Sequence, residues 1–154
     1  KERNHRYHHL HSCGVNSTHM IRAGGAPAYL YGAENIGTSC SQLQAARSAQ
    51  AQAAATDTAG QNPDVVLYVL DGPSGTLDPA FDAHVNVVKS WALAHWEAWA
   101  PESFLARCHR AARLRLNAAK STTWRAVTGP TAATIATLAR LGWSTTDPTK
   151  TTTD

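Results

Sequence analysis

Residues 62–72 read NPDVVLYVLDG, and they decide whether this chain contains a sheet. The hexamer 65–70 is apolar and valine-rich, which by itself fits a buried strand. Its flanks argue otherwise. Asn62 stands where a helix N-cap belongs, Pro63 suits the first helical position, and Asp64 places a carboxylate near the positive end of the helix dipole. No second convincing strand is available to pair with it, so the stretch reads as a short helix. The expected fold is therefore all-α: an irregular bundle of about six helices forming one domain over residues 1–143. The threonine-rich tail 144–154, which carries Pro148, has too little apolar surface to fold alone and is expected to be flexible.

The same punctuation recurs on both sides. Gly14 closes a first helix that holds a histidine cluster, and Pro27 and Gly37 bracket a second as N1 and C′ residues. Ser39 and Gln42 have the S-x-x-Q spacing of a capping box, ahead of an alanine- and glutamine-rich helix reaching about Ala55. Asp78 and Pro79 open the strongest periodic stretch, in which Phe81, Val85, Val88, Ala92, His95 and Trp99 share a stripe and the longest helix is expected. Pro101 starts another helix, with Leu105, Cys108, Ala112 and Leu116 on its apolar face. In the last helix Pro130 is at N1 and Gly142 at C′, and Leu138 and Trp143 are placed as the contact pair of a Schellman cap. Phe81, Val85, Val88, Trp99, Leu105, Leu138 and Trp143 are the expected core.

Net charge is only +3, but it is unevenly spread. Residues 105–125 hold Arg107, Arg110, Arg113, Arg115, Lys120 and Arg125 without one acid, whereas residues 60–100 hold five acids and one lysine. Such a basic stretch suits phosphates or an acidic partner, and it also suits a plain solvated helix face. Three cysteines without a CxxC spacing fit packed thiols in a reducing, intracellular compartment. No apolar run approaches the roughly 20 residues of a membrane span.

The segments CGVNSTHMIRAGGAPAYLYGAENIG (13–37), GQNPDVVLYVLDGPSGTLDPAFDAHVNVVKSWALAHWEAW (60–99) and WRAVTGPTAATIATLARLGW (124–143) together resemble one family. They are similar to the region following the polymerase palm, the thumb or connection, in reverse-transcriptase-like proteins of non-LTR retroelements of the dinoflagellate type. The resemblance implies that Tyr29 and Tyr31 pack inside a thumb helix, that Gly32 permits close helix approach, and that the parent protein is an RNA-directed DNA polymerase acting in the nucleus. Polymerase chemistry needs paired aspartates to hold two metal ions. The chain has no Asp-Asp or Asp-Glu pair, so it is expected to be non-catalytic and to need no cofactor.

Other constellations carry less. His5, His9 and Cys13 fall on one helix face at i, i+4 and i+8, a spacing zinc can use, but a structural site needs a fourth ligand. Asp71, Asp78 and Asp82 lack the alternating oxygen ligands of a calcium loop, and GPSG lacks the Gly-Lys-Ser/Thr of a phosphate loop. His95 is expected to be half-buried with a backbone or water partner; a pigment or haem ligand is the sharper reading. Two functions stay open. In one, Arg107, Arg110, Arg113, Arg115 and Arg125 touch nucleic-acid phosphates without sequence preference. In the other, the chain is a structural subunit filling a large assembly of proteins, with a plastid photosynthetic complex as a candidate host.

Overall fold

A computed structural model describes residues 2–55, 60–119 and 123–153, so Lys120 of the basic stretch lies outside the described residues. In chain order the elements are α1 (Glu2–Ser12), α2 (Thr18–Met20), a π-turn (Ile21–Gly25), α3 (Ala26–Tyr29), α4 (Ala33–Ile36), α5 (Cys40–Ala54) and α6 (Pro63–Asp71). A 3-10 turn (Gly72–Ser74), α7 (Pro79–Trp96), α8 (Glu102–Ala119), α9 (Thr123–Ala126), α10 (Pro130–Arg140), β1 (Trp143–Asp147) and β2 (Lys150–Thr153) follow. Of the described residues, 72% are helical.

The decisive stretch is a helix. Asn62 Oδ1 accepts the Asp64 amide at 2.8 Å and Pro63 sits in the first turn, so the N-terminal signals outweigh the strand preference of the valines. Ser39 and Gln42 form both halves of a capping box at the start of α5. Asp78 Oδ1 accepts the Ala80 amide at 2.8 Å and so caps α7. At the end of α10 the Gly142 amide donates to the Ala139 carbonyl at 3.1 Å with Gly142 at φ +76°, one of the two bonds of a Schellman motif.

Several expectations fail. The count of about six helices is too low, because residues 18–36 break into short segments instead of one helix between Pro27 and Gly37. The break falls at Tyr31, which is 93% exposed, so it is not a packing residue; Tyr29 is exposed as well. Gly32 makes no close approach and instead supplies φ +79° at the turn. The fold is also not strictly all-α. The tail expected to be flexible forms an antiparallel hairpin, with Trp143 opposite Thr153, Ser144 opposite Thr152 and Thr145 opposite Thr151. Threonine's β-branched side chain suits a strand. The turn is fixed by Asp147 Oδ1, which accepts from the Thr149 amide at 2.9 Å and from its hydroxyl at 2.7 Å.

The helices of the expected 1–143 domain fall into two compact units, Lys1–Tyr31 with Ser39–Asp82, and Gly32–Thr38 with Ala83–Asp154. In the first, α5 packs against α1 and α6 around Ile21, Ala51, Ala53, Ala54, Val66, Leu67 and Leu77. Small residues in the π-turn let side chains pack closely: a Cβ on Gly25 would meet Ile21 Cγ2 at 3.3 Å and Gln50 Oε1 at 3.5 Å. In the second unit α10 packs against α8, α4 and β1, over Val87, Ala112, Leu116, Val127, Ala132, Ala133 and Ala136.

Within the first unit the loop after α6 is organised by Asp71. Its carboxylate accepts from the Leu77 amide at 2.5 Å and the Ser74 hydroxyl at 2.7 Å, and it pairs with Arg22. Burial pushes the acid's pKa up, but these bonds outweigh it and leave the group below its ordinary value. A carboxylate depressed in the fold contributes stability that is present above the unfolded value near 4 and lost as pH falls through the lower folded value. Denaturant midpoints are therefore expected to drop as pH falls below about 4, and the drop should be smaller in Asp71→Asn, which cannot titrate there. An equal drop in both proteins would remove Asp71 from that role.

Candidate nucleic-acid interface and a tryptophan-lined pocket

Helix α8 carries most of the basic stretch. It starts just after Pro101, whose carbonyl accepts from the Phe104 and Leu105 amides, and Glu102 occupies its first turn. Its buried residues are Leu105, His109, Ala112 and Leu116, with Cys108 only half-buried. The 4-3-4 spacing of that set is a seam pattern visible in the sequence, and it identifies His109 as the inward residue that the expected face had assigned to Cys108.

The arginines do not share one surface. At about 100° per residue, Arg107, Arg110 and Arg113 step round the outer side of α8 in increments of about 60°, while Arg115 sits about 160° from Arg113. Arg107 and Arg110 are exposed, and neither is in a salt bridge with a described residue. The Arg107 guanidinium lies 5.9 Å from the Phe104 ring centroid. Arg113 Nη1 donates to the Thr146 carbonyl at 3.0 Å, and Arg115 Nη1 donates to the Thr128 hydroxyl. Arg125 is exposed on the short helix α9. Of the five, then, Arg107 and Arg110 present free charge on one side, Arg113 joins them while bound to the hairpin, and Arg115 and Arg125 stand apart. A cavity of about 320 Å³ bordered by Arg110, Arg113, Asn117 and Asp147 lies beside this surface.

His5 and His9 are exposed on α1, and Cys13 is exposed just past its end. Among the described residues no three His, Cys, Asp or Glu side chains come together to hold a metal ion. The thiols expected to be packed are not all so: Cys13 and Cys40 are exposed. Among the described residues no helix is long and apolar enough to cross a membrane.

A pocket of about 440 Å³, absent from the sequence-based expectations, lies in the second unit between α7, α8, α10 and the hairpin. Trp91, Trp96, Trp143, Ile135, His95 and His109 are among its lining residues. Trp91 and His95, one turn apart on α7, meet edge to face with ring centroids 4.7 Å apart, and Trp91 Nε1 donates to the Pro148 carbonyl at 3.4 Å. His109 is only 4% exposed. The Nε2 atoms of His95 and His109 are both shielded from solvent, and neither is hydrogen-bonded to a described residue. Burial, and secondarily the Arg113 charge, push the His109 pKa below its ordinary value; Asp147 opposes this and His95 adds to it. Burial and the Arg113 charge thus both favour the neutral ring.

No protein-family model, curated protein or solved structure matches this chain.

Proposed function

We propose that the chain is a non-catalytic helical module that holds the nucleic-acid backbone along the outer side of α8, as the region after the palm of a retroelement reverse transcriptase would. The observation that carries this reading is the pair Arg107 and Arg110, exposed on adjacent turns with no salt bridge to a described residue, in a stretch without a single acid. Guanidinium groups at that spacing neutralise phosphates without reading bases. Arg113 adds a third charge from the same side, while Arg115 and Arg125 contribute at most peripheral contacts.

Binding to a primer-template duplex is expected to be weak, indifferent to sequence and steeply salt-dependent, with a slope of about −0.9 per neutralised phosphate. The triple variant Arg107→Ala, Arg110→Ala, Arg113→Ala should flatten that slope by about two to three units. Absence of salt-dependent binding by the unmodified chain at low ionic strength overturns the proposal.

One feature favours a second reading. Val65, Tyr68 and Val69 form an exposed apolar stripe at i, i+3 and i+4 on α6, and Trp96 is 89% exposed. A structural subunit would bury such groups against neighbouring proteins of a large assembly, with no role for nucleic acid. The salt titration separates the two readings.

A further inference from the structure

We propose that the pocket between α7, α8, α10 and the hairpin is a binding site for a flat, uncharged aromatic alcohol, whose hydroxyl is received by His95 and His109. The walls supply the first half of this assignment. Three indoles and the side chains of Ile135 and Leu138 line a space of about 440 Å³, within the range of small-molecule sites and large enough for a molecule of two or three fused rings. Indole faces favour planar aromatic guests through offset and edge-to-face contacts.

The imidazoles supply the second half. His109 is more than nine-tenths buried and its Nε2 has no partner among the described residues; His95 Nε2 is likewise shielded and unpartnered among them, and both histidines line the pocket. Buried polar atoms in native proteins are nearly always satisfied, so two orphans lining one pocket mark a place where a partner enters. Both nitrogens are shielded as the rings stand, and histidine χ2 is a broad torsion, so a modest ring turn is what presents Nε2 to a guest in the pocket. A neutral imidazole nitrogen either donates or accepts. A hydroxyl does both, so it can donate to one ring and accept from the other. A carboxylate would favour a charged ring, which burial and the nearby Arg113 resist at His109, although Asp147 on the hairpin opposes them. The site uses none of the outward arginines of α8 and does not depend on nucleic-acid binding.

The test compares 2-naphthol with naphthalene, which has the same ring system and no hydroxyl. Both are titrated against the full chain, read by tryptophan fluorescence and by the nitrogen chemical shifts of the histidine rings. 2-Naphthol is expected to bind about tenfold or more tightly than naphthalene, because it satisfies buried groups that naphthalene leaves bare. It alone should move the Nε2 signals of His95 and His109. In His109→Leu and in His95→Phe the preference should shrink to about threefold or less, with circular dichroism reporting whether each variant keeps its fold. If a variant fails to fold, the ring shifts of the unmodified chain decide. Equal affinity for the two probes, no binding of either, or 2-naphthol binding that leaves both imidazole signals unmoved overturns the proposal.

Discussion

Replacing Gly37 with alanine is expected to destabilise the second unit by about 2–5 kcal/mol, from two separate causes. The first is the backbone. Gly37 closes α4 at φ +68° and ψ −174°, a region that is essentially glycine-only and costs other residues about 1–3 kcal/mol. The second is space: a Cβ there would lie 2.7 Å from Trp124 Cζ3 and 3.4 Å from Ala133 Cβ. Overpacking of this kind typically costs another 1–3 kcal/mol or so, and the indole has little room to yield. The Arg140 guanidinium lies 4.2 Å from its ring centroid, and Arg140 also bonds the Thr38 carbonyl next to Gly37. Gly142→Ala provides the contrast. It carries a positive φ of +76° with nothing within 4 Å of an added Cβ, so only the backbone cost of about 1–2 kcal/mol applies. Urea unfolding followed by circular dichroism measures both, and equal losses would mean that the Trp124 ring moves aside freely.

Caps were legible in the sequence, and packing partners were not. Asn62, Ser39 with Gln42, Asp78 and Gly142 each act through bonds to residues two or three positions away, so their type and spacing suffice to place them. The phase of α7 could not be obtained that way. Its sequence PAFDAHVNVVKSWALAHW supports two apolar stripes, and the expected one holds Phe81 and Val85. The buried one is Ala83, Val87 and Trp91, at i, i+4 and i+8, leaving Phe81 50% exposed, Val85 and Trp99 exposed and Val88 half-buried. Small Ala83 outranks a phenylalanine because of what it packs against, and hydrophobicity along one helix does not report that. Leu105 and Leu138 are buried as expected, whereas Trp143 is exposed at the start of the hairpin.

The candidate sites divide along the same line. That residues 105–125 are basic is visible in the sequence; that Arg113 and Arg115 are bonded to Thr146 and Thr128 depends on threonines brought in by the hairpin and the loop before α10. The histidine pocket was hidden more deeply, because His95, His109 and Trp143 lie on three different elements. The 4-3-4 seam of α8 was the one available signal, and it was masked by Cys108, an apolar residue one position away.

Leu77→Ala is expected to cost about 2–5 kcal/mol, in the upper half of that range, although residue 77 lies in no helix and its loop DGPSGTLD reads as a plain turn. The side chain is 0% exposed and packs with Ile21, Val66, Leu67 and three alanines of α5. Short alanine side chains cannot extend into the hole that truncation leaves. The backbone is equally unable to collapse into it: the Leu77 amide is held by Asp71 at 2.5 Å, and its carbonyl accepts from the buried Gln50 side chain at 2.9 Å. The penalty for an unrelaxed cavity rises with the volume that stays open, and a pinned loop keeps most of it open. Phe81→Ala, which removes a larger but half-exposed side chain, should cost under about 1 kcal/mol. Both variants are compared by urea midpoint, with an unchanged denaturant slope showing that the unfolding transition is the same one. If Phe81→Ala proves the more damaging of the two, the buried face of α7 is the one its sequence first suggested, and Leu77 is not the residue that closes the first core.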